Sequence, residues 1–413
     1  MVGIIFLVFA VISLLTNVLG PIIPDIIDSF RVSLATAAFL PFSFFLAYGI
    51  LSIPAGFLVE RFTEKPVMIV SFLAATAGAL SFAGHPTLQV AAASLFVIGA
   101  GMAMLQVAIN PLLRIAGGEE HFAFNSAVAQ FVYGGASFLS PHIYSYMVNN
   151  LPRAGEHGSV LQAMARITPE NLPWVSIYWI FAAVSTLMMI VISSVRFPRI
   201  VRTDEEKSGT VATYLLLFKR RVVWLYFGCM FAYVGSEQGT ANWISRFLSS
   251  YHGFDPHTTG ASAVSWFWGL MTIGCFFGMI LLKAFDSRRV LLGFSIGALI
   301  ALSAGLVGPA MVSLYAFPAV GFFASIMWPT VISLALNSVA EHHGTFAGIL
   351  CTGIVGGAVV PLIIGRLGDL AGLRTGMSFL YLTFGCVLSI GLWAKPIINN
   401  AVIGGKAEQA VNR

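Results

Sequence analysis

An acidic residue, Glu237, lies near the middle of a long apolar run, with apolar-rich sequence on either side of it. Burying a charge at the centre of a membrane helix is costly, by roughly 2.5–3.5 kcal/mol for Asp, Lys or Arg. A path for a substrate or an ion is the usual reason for such a residue, since a carboxylate can take up a proton or coordinate Na⁺. The alternative is a structural acid held by a hydrogen bond or by a buried arginine such as Arg246.

Polar side chains also recur in pairs, about one helical turn apart, within other apolar runs. Each pair would share one face of a helix. The pairs are Gln106 with Asn110, Gln130 with Tyr133, and Gln238 with Asn242. Lipid tails offer such groups no hydrogen-bond partner, so these faces should point into the protein. Together they predict a polar cavity, although each pair alone could instead join helices through interhelical hydrogen bonds.

Tryptophans are candidates for an aromatic surface in that cavity. Trp328, directly before Pro329, is the first choice for a stacking platform, with core packing as the alternative. Trp266 and Trp268 point about 200° apart on a helix, so at most one of them faces the cavity.

Composition identifies the class of protein that must position these residues. Hydrophobic residues make up 58 % of the 413 and charged residues 9 %, against roughly 25 % charged in soluble domains. Much of the surface must therefore face lipid, and long apolar runs without alternation favour helices over a barrel. The net charge of +5 is a topology signal and indicates no nucleic-acid partner. The sequence shows no phosphate-binding loop, catalytic triad or metal cluster, which argues against an enzyme and predicts no cofactor.

The apolar runs are long enough for twelve membrane-spanning helices. The predicted spans are 3–24, 36–60, 67–84, 87–113, 123–150, 173–195, 222–250, 260–283, 289–307, 310–338, 344–369 and 375–395. An even number of spans places both termini on one side. Most of the 22 basic residues lie on that side, which predicts that both termini are cytoplasmic.

A polar, charged stretch in the middle of the chain predicts two halves. The predicted units are a six-helix bundle over 1–195, a cytoplasmic linker over 196–221, a second six-helix bundle over 222–396 and a cytoplasmic tail over 397–413. Short motifs recur at one shared interval between the halves, as with Gly134-Gly135-Ala136 and Gly356-Gly357-Ala358. A six-plus-six parallel repeat is typical of transporters, whose ligand site lies near the midplane between the halves.

The loop between the second and third spans, Gly56-Phe-Leu-Val-Glu-Arg-Phe-Thr-Glu-Lys65, resembles that of the major facilitator superfamily. The resemblance implies a conformational latch in which Gly56 permits close helix packing. Glu60 and Arg61 would pair with the other bundle at the membrane edge. This chain departs from the superfamily pattern, because Thr63 stands where a glycine is expected.

Further stretches resemble the fucose/glucose–galactose permease family of sugar:cation symporters. They are Gln106-x3-Asn110-Pro111, Tyr233-Val-Gly-Ser-Glu237, Ser325-Ile-Met-Trp-Pro-Thr330 and Ile354-Val-Gly-Gly-Ala-Val-Val-Pro361. The resemblance implies sugar uptake across a bacterial inner membrane, driven by a H⁺ or Na⁺ gradient. In that family the first helix carries an Asn-Asp pair, of which Asn17 matches and the acid falls on Gly20. Gln106 stands where the family often has Glu, which leaves Glu237 as the acid deep within a predicted span.

These observations predict a monomeric secondary active transporter that imports a neutral hexose-type sugar. Glu237 would carry coupling, to H⁺ or to a Na⁺ ion nearby. The predicted sugar ligands are Asn17, Gln106, Asn110, Gln130, Tyr133, Gln238, Asn242 and Trp328. Alternatives are an uncoupled sugar facilitator and an exporter of small amphipathic compounds. A non-transporting membrane sensor or scaffold is the alternative from a different class.

Overall fold

The structure is a computed structural model that describes residues 1–117, 122–156, 158–197, 211–339 and 342–395. Within these ranges the secondary structure is helical, without strands. Ten helical segments are long and apolar enough to cross a membrane, and two further long helices complete a set of twelve. They are α1 (Val2–Phe30), α2 (Leu34–Phe62), α3 (Glu64–Gly84), α4 (Leu88–Gly117), α5 (Phe122–Asn150), α6 (Ser176–Ser194), α7 (Arg221–His252), α8 (Ala261–Ala284), α9 (Ser287–Val307), α10 (Ala310–Leu336), α11 (Thr345–Ala371) and α12 (Leu373–Trp393).

The predicted fold class, an all-α integral membrane protein with twelve helices in two six-helix bundles, is confirmed. Most helix ends lie within a few residues of the predicted spans, whereas α1 continues to Phe30 instead of ending at residue 24. The core of the predicted linker, 198–210, and the predicted tail, 397–413, lie outside the described residues. The exact domain boundaries stay predictions.

Two helices are interrupted near mid-length, where a proline removes a backbone hydrogen bond. In α1 the helix stops at Thr16 and resumes at Leu19. Pro21 has no N–H to donate to the carbonyl of Asn17, four residues earlier, so the regular hydrogen-bond ladder is lost there. A similar interruption separates Ala324 from Met327 in α10, where Pro329 cannot donate to Ser325.

Helices within and between the bundles approach closely where glycine removes the side chain. A Cβ atom added at Gly356 on α11 would lie 1.9 Å from the backbone oxygen of Phe231 on α7. One added at Gly99 on α4 would lie 2.2 Å from the oxygen of Phe44 on α2. Such contacts place backbone against backbone, which is how helices pack when lipid supplies no hydrophobic driving force.

The two bundles meet along three helix pairs, α2 with α11, α5 with α8 and α1 with α7. Polar contacts between the bundles concentrate at one end of the protein, where Asp25, Tyr144, His257 and Asp369 lie. We call this end the closed face. The opposite end, which holds Met1 and Trp393, is the terminal face.

Candidate functional site

A cavity of about 210 Å³ lies between the bundles and is lined by four helices from each. The first bundle contributes α1, α2, α4 and α5, and the second contributes α7, α8, α10 and α11. Six of the residues predicted for the site line this cavity. They are Gln106, Gln130, Tyr133, Glu237, Gln238 and Trp328.

The amide groups of the first bundle lie on α4 and α5. Gln106 is half-buried, and Gln130 is exposed to the cavity together with half-buried Tyr133, one turn further along α5. The helical spacing therefore predicted correctly that this face of α5 points inward. The side chain of Asn110 lies outside the described residues, so its role stays a prediction.

Asn17 lies behind the cavity wall and is buried, with 3 % of its surface exposed. Its Nδ2 donates to Ser137 Oγ at 2.8 Å and contacts Tyr133 Oη at 3.3 Å. These contacts fix the phenol of Tyr133, which does line the cavity. Asn17 is therefore placed to position a lining residue, and direct contact with a sugar stays a prediction.

Asn242 is buried away from the cavity, although it follows Gln238 by one turn of α7. The crossing of α1 over α7 occurs here, since a Cβ added at Gly20 would lie 3.2 Å from the Cα atom of Asn242 and 2.5 Å from the oxygen of Ala241. Of the two residues on this face of α7, Gln238 therefore lines the cavity and Asn242 lies where α1 crosses α7. A role for Asn242 in binding sugar stays a prediction that its position does not support.

Glu237 is partly buried and points both carboxylate oxygens at neutral donors. The Tyr233 hydroxyl donates to Oε2, and Gln238 Nε2 donates to Oε1 at 3.2 Å. Arg246 instead contacts Asp28 at 3.5 Å, so it is not the partner of Glu237, whereas a structural acid held by hydrogen bonds stays the alternative to a coupling role. Among the described residues no group of three or more His, Cys, Asp or Glu forms a metal cluster, and Na⁺ near Glu237 stays a prediction.

Two tryptophans of the second bundle face the cavity. Trp328 lies with its ring centroid 6.2 Å from that of Tyr233, and Trp268 lies on the adjoining wall of α8. Trp266 lies on the other side of α8 and is 48 % exposed. The cavity thus combines amides, an acid and aromatic surfaces.

Residues 5–354 match the Major Facilitator Superfamily. The chain belongs to that superfamily. It is 29 % identical to the glucose/galactose transporter of Brucella abortus (strain 9-941) over 400 residues, which cover 94 % of this chain and 91 % of that protein. The L-fucose-proton symporter of Escherichia coli (strain K12) is 25 % identical over 389 residues, covering 89 % of this chain and 86 % of that protein.

Solved structures of the superfamily share the fold. The crystal structure of the Escherichia coli fucose:proton symporter matches with a TM-score of 0.68 and 22 % identity, covering 95 % of this chain and 98 % of that one. A bacterial homologue of the human lysosomal transporter Spinster matches with a TM-score of 0.75 and 13 % identity, covering 95 % and 96 %. At these identities the likeness shows the fold alone.

The superfamily motif that predicted a latch covers the last residues of α2, Thr63 and the first residues of α3. Gly56 is half-buried, and the guanidinium of exposed Arg61 lies 5.3 Å from the ring centroid of Phe62. The side chain of Glu60 lies outside the described residues, so the latch stays a prediction. Thr63, where the superfamily pattern has glycine, has φ +67° and ψ 172°. Only glycine adopts this backbone region without strain.

A polar cluster joins the two bundles at the closed face, and the sequence analysis did not predict it. Tyr144 on α5 donates to Asp25 Oδ2, and His257, in the short turn Pro256–Gly260 before α8, contacts Asp25 Oδ1 at 2.8 Å. Asp369 on α11 accepts from the backbone N–H groups of Leu34 and Ala35 at 2.8 and 2.9 Å. The sequence feature that could have indicated this cluster is Asp25, an acid just beyond the predicted end of the first span.

Proposed function

We propose that this protein is a secondary active transporter that imports a neutral, hexose-type sugar and couples it to H⁺ or Na⁺. The observation that carries the proposal is the cavity between the bundles, in which amides, Glu237 and two tryptophans face one another. The glucose/galactose and fucose transporters to which the chain is similar support the choice of substrate class.

The lining matches the chemistry of a sugar. Gln106, Gln130 and Gln238 each offer a donor and an acceptor to hydroxyl groups. Trp328 offers a flat apolar face to the C–H side of the ring. A strongly charged substrate fits less well, because Glu237 is the cavity's lone acidic or basic lining residue within the described part of the chain.

Coupling is assigned to Glu237. Its carboxylate is held by the hydroxyl of Tyr233 and the amide of Gln238, with no cation among the residues that line the described cavity. A charged carboxylate inside the membrane without a neighbouring positive charge is energetically costly. Uptake of a proton or Na⁺ lowers that cost before the carboxylate changes its surroundings. Binding of the cation would then set the affinity for sugar.

Transport proceeds by rocking of the two bundles, 1–195 and 222–396, around the cavity, with 196–221 as the linker. The contacts at the closed face join the bundles on that side, and in this proposal the conformation described here exchanges sugar at the terminal face. We assign the terminal face, with both termini and the tail 397–413, to the cytoplasm of a bacterial inner membrane. The transporter works as a monomer and needs no nucleic acid or cofactor beyond the coupling ion.

Uptake into proteoliposomes with imposed H⁺ or Na⁺ gradients tests this proposal. Glu237→Gln should abolish accumulation against a sugar gradient while sparing sugar exchange, because the amide can still accept from Gln238 and can donate to the Tyr233 oxygen, but cannot carry the cation. The matched control is Glu170→Gln, an exposed acid outside the cavity, which should accumulate sugar normally. Unchanged gradient-driven accumulation in Glu237→Gln would contradict the coupling role.

An uncoupled facilitator is the second candidate, and one observation favours it. At Gly20, where the family is expected to carry an acid, the backbone of α7 occupies the space that a side chain would need. Gln106 likewise stands where an acid is often found. If neither gradient raises the final internal sugar concentration above the external one, the protein is a facilitator.

A further inference from the structure

Trp268 on α8 carries a hydrogen-bond donor that nothing around it uses. The side chain lines the cavity, and only 3 % of its surface is exposed. Its indole Nε1 has no hydrogen-bond partner among the described residues. An indole N–H can only donate, and a buried donor without an acceptor is unfavourable unless a ligand or a water satisfies it.

The neighbouring groups on the same face of α8 do not compete for this role. Thr272 Oγ1 donates to the carbonyl oxygen of Trp268 at 3.0 Å. Cys275 Sγ donates to the carbonyl oxygen of Ser325 at 3.3 Å. Met271 has no donor. On this wall of α8 the indole N–H of Trp268 is therefore a buried donor left without a partner among the described residues.

Trp268 also lies where the two bundles touch. A Cβ added at Gly134 on α5 would fall 1.9 Å from Thr272 Oγ1, and one added at Gly269 would fall 2.8 Å from the ring of Phe138. Gln130 and Tyr133, which also line the cavity, thus lie on the helix that packs against α8. A small ligand can contact both walls at once, with a hydroxyl oxygen accepting from Trp268.

We propose that Trp268 determines specificity, with its indole N–H donating a hydrogen bond to one hydroxyl oxygen of the bound sugar. This inference rests on the proposed function, because it assumes that a hydroxylated substrate occupies the cavity. Trp268 is then a donor that selects for one hydroxyl, whereas Trp328 supplies surface to the ring.

The first test compares two tryptophans on one helix. Trp268→Phe keeps an aromatic ring but loses the N–H, so KM for the transported sugar should rise roughly three- to tenfold, the effect of one neutral hydrogen bond. Trp266→Phe is the matched control, because that residue faces away from the cavity, and its KM should not change. If Trp268→Phe does not fold, Trp268→Tyr makes the same comparison, since it keeps a ring and removes the donor at that position.

The second test uses monodeoxy analogues of the sugar, each lacking one hydroxyl, as inhibitors of uptake. Wild type should lose affinity for one analogue in particular, and Trp268→Phe should bind that analogue as well as wild type does. Equal losses for every analogue in the variant would show that only ring packing changed and would overturn the proposal. Absence of sugar uptake by wild type would instead refute the proposed function, so the two failures are distinguishable.

Discussion

Asp25 of the first bundle and His257 of the second are joined by a 2.8 Å contact between Oδ1 and Nε2. The other oxygen of the same carboxylate accepts from the hydroxyl of Tyr144. One side chain is thus held from both sides of the bundle interface. The arrangement resists opening of the closed face, because separation of the bundles leaves the carboxylate with a partner on one side alone.

Asp25→Asn should favour opening of the closed face, because the amide carries no charge and cannot accept at both former oxygen positions. Labelling of a cysteine introduced as Gln130→Cys, by a membrane-impermeant thiol reagent added at the closed face, should become several-fold faster. The control is Asp28→Asn, since Asp28 is 70 % exposed and contacts Arg246 at 3.5 Å, a geometry typical of weak surface pairs. Equal labelling rates in Asp25→Asn and wild type would contradict the role of this contact.

Gly20→Ala should disfavour the same closed arrangement by steric means. The added Cβ would lie 2.5 Å from the backbone oxygen of Ala241, so α1 and α7 would have to separate. Sugar uptake should slow several-fold, and labelling at the closed face should increase. Gly135→Ala adds a Cβ with nothing within 4 Å and should behave as wild type; a matching defect there would point to helix propensity instead of the crossing.

Thr63→Gly should stabilise the protein. The backbone of Thr63 lies in a region that costs a non-glycine residue roughly 1–3 kcal/mol, and greater freedom of glycine in the unfolded chain offsets about 0.5–1 kcal/mol of the gain. A net stabilisation of about 1 kcal/mol should raise the unfolding temperature in detergent by about 1 °C. Thr63→Ala keeps the Cβ and should give no such gain, which separates relief of strain from loss of the hydroxyl.

Gly356→Ala should destabilise the second bundle. Its Cβ would overlap the backbone oxygen of Phe231, and forced repacking costs about 1–3 kcal/mol. Thermal unfolding should shift to lower temperature, with Gly385→Ala on α12 as the control, since nothing lies within 4 Å of that Cβ. Identical unfolding temperatures for the two variants would mean that α7 and α11 can separate without cost.

Helix number and most helix ends could be predicted because the thickness of a bilayer imposes the length of each apolar run. The continuation of α1 to Phe30 was missed, since Asp25 and Asp28 end the apolar run without ending the helix. Interruptions within α1 and α10 leave the hydropathy unchanged, so a count of apolar residues does not detect them.

The site could be predicted where helical spacing alone decides orientation, as for Gln130 and Tyr133 on α5. The orientation of a side chain could not be predicted where another helix crosses the same face, as α1 does beside Asn242. The contact between Asp25 and His257 joins distant parts of the chain, and no local pattern indicates such a pair. Trp268 and Trp266 could be assigned to opposite sides of α8, but the choice between them required the packing of α8 on α5.

Helix α11 also contains a 3-10 turn, Gly353–Val355. This turn and the interruptions in α1 and α10 lie beside the cavity, which Thr16, Ser325 and Ile354 line. Three residues that line the cavity therefore also lie at the points where these helices are interrupted. A bound molecule would restrict bending at these interruptions, and an empty cavity would leave them free to bend. Substrates that fit the cavity very tightly should consequently bind with high affinity and be transported slowly.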